Sequence, residues 1–130
     1  MARRRTRIRG ILSTLDANPA IALTLYEEGT RTVKTVGAND ILQIDSYAMS
    51  VDGITSSTTV AKLYFSDNGT EDAGSTIAVL RAPTTVAEDH MALALPHPVS
   101  GIPGETVYGI TENNGDPLSI VVTGWLYEAD

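Results

Sequence analysis

From residue 19 onward, apolar and polar positions alternate with a period of two, the pattern of strands that bury one face. Between Ala20 and Tyr26, the side chains of Ile21, Leu23 and Leu25 fall on one side and those of Ala22, Thr24 and Tyr26 on the other. Glu27-Glu28-Gly29 ends that run, Arg31 to Val36 predicts a short polar strand, and Gly37-Ala38-Asn39-Asp40 a turn. Ile41 to Val51 is a long run that sets Leu42, Ile44 and Ala48 against Gln43, Asp45 and Tyr47 and bends or changes face near Ser46, followed by a turn at Asp52-Gly53. Thr58 to Phe65 sets Ala61, Leu63 and Phe65 against Val60, Lys62 and Tyr64, and Ser66 to Gly74 is a polar loop. Thr76 to Arg81 predicts the next strand, closed by Pro83. Met91, Leu93 and Leu95 alternate with Ala92 and Ala94, and Pro96-His97-Pro98 and Gly101-Ile102-Pro103-Gly104 read as a connection. Thr106 to Thr111 and Leu118 to Tyr127 form the last pair, joined through an Asn114-Gly115 turn signal.

These runs amount to about eight strands with turn residues between them, and the sixteen threonines suit pleated surfaces. No segment of 12 residues keeps a helical period, although Ile11 to Ala17 admits one helical turn. The expected class is all-β: an antiparallel β-sandwich, with an eight-stranded jelly roll preferred over an immunoglobulin-like arrangement. An immunoglobulin domain would show a Cys–Trp–Cys core, and this chain has no Cys and one Trp, in its last strand. Residues 1–18 read as a basic N-terminal arm and lead-in, and residues 19–130 as the sandwich domain. At 130 residues the chain has room for one core.

Charge sharpens this division. The net charge of −7 hides a leader in which Arg3, Arg4, Arg5, Arg7 and Arg9 precede every acidic residue. From Asp16 on, sixteen carboxylates face Arg31, Lys34, Lys62 and Arg81. Guanidinium forks suit phosphate or carboxylate. An acidic body repels a polyanion arriving on its own side, and Ile8, Ile11, Leu12 and Leu15 supply apolar contacts that an electrostatic tail does not need. A protein surface is therefore the favoured target and nucleic acid the less favoured one. If the leader is extended, Arg3, Arg5, Arg7 and Arg9 share a face, with Ile8 opposite.

Candidate chemistry adds little. Without Cys there is no disulfide scaffold, thiol nucleophile or Cys-ligated metal. No apolar run is long enough to span a bilayer as a helix, and no secretory signal follows the arginines. Asp89-His90 has no nucleophile elbow to serve, and His97 lies between prolines. The loop Asp67 to Asp72 concentrates oxygen ligands without the spacing of an EF-hand. The doublets Glu27-Glu28 and Glu88-Asp89 point to opposite faces of a strand and cannot converge on one substrate. No catalytic residue, metal or cofactor is expected. Trp125 and Tyr127 share a face of the last strand with Val121 and Thr123, a stripe that a core or a subunit contact would bury, the commoner use, or that a sugar would stack on.

The chain length, the strand pattern from Ile21 to Tyr127, the basic leader and the closing run Ser119-Ile120-Val121-Val122-Thr123-Gly124-Trp125-Leu126-Tyr127-Glu128 resemble the small capsid decoration (cement) proteins of tailed bacteriophages. The resemblance spans nearly the whole chain as a profile, without a diagnostic motif. It implies a structural protein of the virion, made in the host cytoplasm. A homotrimer would sit on the outer capsid surface and bridge copies of the major capsid protein, with no membrane contact. It also implies docking through Arg3, Arg5, Arg7, Ile8 and Arg9 to capsid protein, with Trp125 and Tyr127 as interface aromatics. Phage fibre or spike tips, a carbohydrate-binding sandwich and a small nucleic-acid-binding protein are the alternatives. An enzyme is not expected.

Overall fold

The computed structural model describes residues 4–52, 59–82, 88–112 and 116–129. These hold ten strands and no helix: β1 (Arg4–Thr14), β2 (Ile21–Ala22), β3 (Thr24–Glu27), β4 (Val33–Lys34), β5 (Ile41–Asp52), β6 (Thr59–Ser66), β7 (Thr76–Ala82), β8 (Glu88–Ser100), β9 (Thr106–Glu112) and β10 (Leu118–Glu128). They form a six-stranded sheet in the order β4-β3-β1-β10-β5-β8 and a four-stranded sheet in the order β2-β9-β6-β7. Every pairing is antiparallel.

The two sheets pack face to face as a β-sandwich. Ile8, Leu12, Leu42, Ile44, Met49, Ile120, Val122 and Leu126 of the larger sheet meet Ala61, Leu63, Phe65, Leu80 and Val107 of the smaller one in one buried core. Strands β9 and β10 alternate in burial, β10 burying Leu118, Ile120, Val122, Gly124 and Leu126 and turning the intervening residues outward. In β6, by contrast, Ala61, Leu63 and Phe65 enter the core but Val60 and Tyr64 on the opposite side are buried as well.

The largest correction concerns the leader. Residues 4–14 are not an arm but β1, paired with β10 over eleven residues and with β3 over four, Ile8 to Ile11. The sandwich therefore begins at Arg4 rather than at residue 19. Thr6, Ile8, Gly10 and Leu12 point inward, while Arg5, Arg7, Arg9 and Ile11 point outward. Ile8 is fully buried, so it is a core residue and not a partner contact; hiding such a side chain contributes about 1.5–3 kcal/mol. The fit is close enough to require glycine at position 10, where a Cβ would stand 2.7 Å from Val122 Cγ2 and 3.0 Å from Leu25 Cδ2. Ile11 to Thr14 continue this strand, so the helical turn does not form there.

Three smaller differences follow from how strands change partners. The run from Ala20 to Tyr26 is split: β2 pairs with β9 and β3 with β1, and Leu23 crosses between sheets by donating its N–H to the Val107 carbonyl at 3.0 Å. Its inward positions, Ile21, Leu23 and Leu25, are nonetheless those expected from the alternation. Strand β8 runs through Pro96-His97-Pro98 rather than ending before it. An edge strand tolerates prolines because its outer N–H groups need no partner, and here the pairing skips from Ala94 to Val99. The expected break near Ser46 is a β-bulge, in which Thr123 pairs with Ser46 and Gly124 with Ile44, leaving Asp45 as the extra residue. Beyond it Tyr47 is buried and Ala48 exposed, the reverse of the expected sides. Gly124 is obligatory beside the bulge, since a Cβ would stand 1.9 Å from the Gln43 carbonyl oxygen.

Candidate functional site

The outer face of the six-stranded sheet carries the residues singled out from the sequence, in rows set by strand register. Arg5 lies opposite Tyr127, and Arg7 opposite Trp125, which lies opposite Gln43. In the next row Tyr26, Arg9, Thr123, Ser46 and Ala94 stand side by side. Beyond it come Thr24, Ile11, Val121, Ala48 and Ala92. The arginine row and the aromatic pair, read separately from the sequence, are thus neighbours on one surface. Arg3 lies outside the described residues.

The arginines have different surroundings. Arg7 is anchored: its Nη1 donates to Asp45 Oδ2 at 2.5 Å and its Nη2 to Asp45 Oδ1 at 3.4 Å. The bulge directs that carboxylate outward, as bulges commonly re-aim a side chain. Thr123 Oγ1 also donates to Asp45 Oδ1 at 2.6 Å, so its remaining bond, to Ser46 Oγ, must accept the serine proton. Burial alone pushes the Asp45 carboxyl up, but the hydrogen bonds from Arg7 and Thr123 and the arginine charge outweigh it and hold the group below its ordinary range.

Arg5 is exposed, and its guanidinium carbon lies 4.1 Å from the centroid of the Trp125 ring, with that of Arg7 at 5.2 Å. Cations over an indole face are attracted by its quadrupole. Among the described residues Arg5 has no carboxylate partner. Trp125 and Tyr127 are half-buried, and the Tyr127 hydroxyl donates weakly to Gln43 at 3.4 Å. Arg4 turns to the sheet's rim, where Glu128 meets it at 3.3 Å and Lys34 at 3.2 Å. Burial pushes the Glu128 carboxyl up, yet Lys34, Thr6 and Arg4 hold it low. Arg9 has a long contact with Glu28, 3.8 Å. The acidic surface that the leader was expected to find on a partner is, for Arg4, Arg7 and Arg9, the protein's own.

The outer face of the four-stranded sheet is built differently. Lys62 Nζ lies 3.0 Å from Glu71 and 2.9 Å from Glu112, which raise its pKa. Tyr64 is buried, stacks on Tyr108 with centroids 6.2 Å apart, and donates to the Gly69 carbonyl at 2.6 Å. In the loop after β6, Glu71 accepts from both Lys62 and the Thr76 hydroxyl, and these bonds hold its carboxyl low. Ser66 Oγ accepts from the Asn68 and Gly69 N–H groups. Asn68 and Glu71 are committed to the loop and to Lys62, while Asp67 and Asp72 are exposed. Among the described residues no group of three His, Asp or Glu side chains is placed to hold a metal ion.

His90 and His97 are exposed on the edge strand β8. The roles of Asp45 and Glu128 escaped the sequence reading, which places Thr123 on the face of Trp125 without a role. For Asp45 a signal was present, the change of face at Ser46, which marks a bulge and so an outward carboxylate. Against known proteins, the chain matches no family model and no curated protein.

Proposed function

We propose that the protein is a structural docking module, and specifically a capsid decoration (cement) protein that seats as a homotrimer on an outer capsid surface and bridges major capsid proteins. The observation that carries this reading is the surface around Arg5 and Trp125. An exposed guanidinium without a carboxylate partner among the described residues lies on an indole beside Tyr127, and two rows further along the same face Ile11 and Val121 are 38% and 40% exposed. Arginine and large aromatics dominate the energetics of protein interfaces, where they act as pre-placed anchors.

Docking in this reading is by a rigid face and not by a tether. A stacked arginine gives up less freedom on binding than one on a loose arm. The strand order β1-β10-β5-β8 against β2-β9-β6-β7, with β3 and β4 added at one edge, supports the jelly-roll reading. The 13-residue edge strand β8 supports an oligomer, since exposed edges are commonly covered by a neighbour.

A carbohydrate platform is less well supported, because two guanidinium groups occupy the indole surface on which a sugar ring would stack. Nucleic acid is less well supported too: Arg4 and Arg7 already face carboxylates. The test is sedimentation with preformed capsids that lack the protein. Wild-type chain is expected to co-sediment, and Arg5→Ala/Trp125→Ala to stay in the supernatant while retaining a cooperative thermal transition. If wild-type chain ignores capsids, or the double variant binds as well as wild type, the reading fails.

A further inference from the structure

Beside the Arg5–Trp125 surface, at the β3 side of the same sheet, lies an open groove of about 380 Å³ lined by Arg9, Ile11, Tyr26, Glu27, Glu28 and Arg31. We infer that this groove is a second recognition site, which takes a carboxylate side chain from an acidic peptide segment. The inference deepens the docking reading by giving the partner's chemistry, and it rests on that reading for its expectation of a protein partner.

The first support is the state of the two arginines. Arg9 reaches Glu28 at 3.8 Å, well beyond the 2.7–2.9 Å typical of a charge-assisted hydrogen bond, and both side chains are substantially exposed. Arg31 is exposed and has no ion-pair partner among the described residues. Two forks of donors therefore border one groove with their hydrogen-bonding capacity unspent, unlike Arg7, which Asp45 engages at 2.5 Å.

The second is backbone conformation. Arg31 has φ of 60°, a left-handed conformation in which glycine or asparagine is the usual residue. The turn is fixed there: Arg31 N–H donates to the Glu27 carbonyl and Glu27 N–H to the Thr32 carbonyl, each at 2.8 Å. A turn that needs only positive φ is served better by glycine, as the same turn shows at Gly29, with φ of 92°. Arginine at such a position points to a use for its side chain, and the groove is the feature that the side chain borders.

Charge selects the occupant. Glu27 and Glu28 line the groove together with the two arginines, so its summed charge is near zero. The glutamates repel any anion, and a phosphodiester chain, which brings several charges past them, more than a single carboxylate seated between the guanidinium forks. A peptide offers what the lining matches: one carboxylate for the guanidinium forks, backbone N–H groups for Glu27 and Glu28, and a short aliphatic stem for Ile11 and Tyr26. The incoming carboxylate replaces the long Arg9–Glu28 contact.

The experiment is NMR titration of the full chain with acetyl-Gly-Glu-Gly-amide, its glutamine counterpart, inorganic phosphate and a duplex DNA oligonucleotide. Saturable shifts are expected at Tyr26, Gly29 and Arg31 with the glutamate peptide, and binding about tenfold weaker with glutamine, the scale of one charged hydrogen bond. Arg31→Gly relieves the left-handed strain, so its thermal midpoint should equal or exceed that of wild type while the peptide shifts vanish. Equal response to glutamate and glutamine, undiminished shifts in Arg31→Gly, or tighter groove binding by phosphate or DNA would overturn the inference. The two readings fail separately. A chain that co-sediments with capsids but ignores the glutamate peptide loses only the groove. One that binds the peptide but no capsid loses only the docking role.

Discussion

The two outer faces of the sandwich use the same ingredients, cations, carboxylates and aromatic rings, and combine them to opposite ends. On the four-stranded sheet, Lys62 is held between two glutamates and Tyr64 is buried against Tyr108 with its hydroxyl bonded to the loop above. On the six-stranded sheet, Arg5, Arg7 and Arg9 stand with Asp45 as the carboxylate within their rows, and Trp125 and Tyr127 remain half-open. On the first face Lys62, Glu71 and Tyr64 are engaged with their neighbours and brace a loop, while Arg81 on the edge strand β7 is exposed. The second retains unpaired donors on rigid backbone, which is what a binding surface requires. A strand of arginines is structural on one side and available on the other, because the pleat sends alternate residues in opposite directions.

Removing residues 1–9 should have the largest effect. It takes away half of a central strand together with Ile8, and the truncated chain is expected to show no cooperative thermal transition. A folded truncated chain would restore the detachable arm. Ile8→Ala, on the buried side of the same strand, should cost about 2–5 kcal/mol in denaturant unfolding, by lost burial and the cavity left behind.

Next comes a dissociation of the faces. Lys62→Met should cost about 1 kcal/mol, since its ion pairs are partly exposed, and leave capsid sedimentation unchanged. Arg5→Ala should cost about 0.5–1 kcal/mol of stability, the scale of an exposed cation–π contact, and weaken sedimentation. If Lys62→Met weakens sedimentation as much as Arg5→Ala does, the contrast between the faces is wrong.

The smallest effect is in pH dependence, and it touches both faces. Asp45, Glu71 and Glu128 are all held below their ordinary values of 3.8, 4.5 and 4.5. A carboxyl with a depressed folded-state pKa contributes stability that is complete above the ordinary value and lost as pH falls through the lower one. Thermal midpoints should therefore fall as the solution is acidified below about pH 4. Asp45→Asn should flatten that decline, and an equally steep decline in the variant would remove Asp45 from the account.

What could be read from the chain depended on how completely each strand's inner face is apolar. Ala61, Leu63 and Phe65 of β6 mark themselves, as do the alternate residues of β10. In β1 the inward positions are Thr6, Ile8, Gly10 and Leu12, and the threonine and glycine break the alternation while four arginines draw attention to charge. The missing signal was Gly10, placed by the close approach of Val122 and Leu25 and not by a turn. Pro96 and Pro98 misled in the opposite sense, because a proline rule that holds inside a sheet is relaxed on its edge.

Local pattern was sufficient to determine an all-β chain, the sides of most strands and the shared faces of Arg5, Arg7, Arg9 and of Trp125, Tyr127, since a period of two is a property of the backbone alone. Which strands became neighbours was decided by packing between residues more than a hundred positions apart, as Arg7 and Trp125 are. That choice put arginine over tryptophan, gave Arg7 the Asp45 carboxylate and made the leader part of the core. Long-range pairing rests on the joint burial of many side chains, and no segment carries that information by itself.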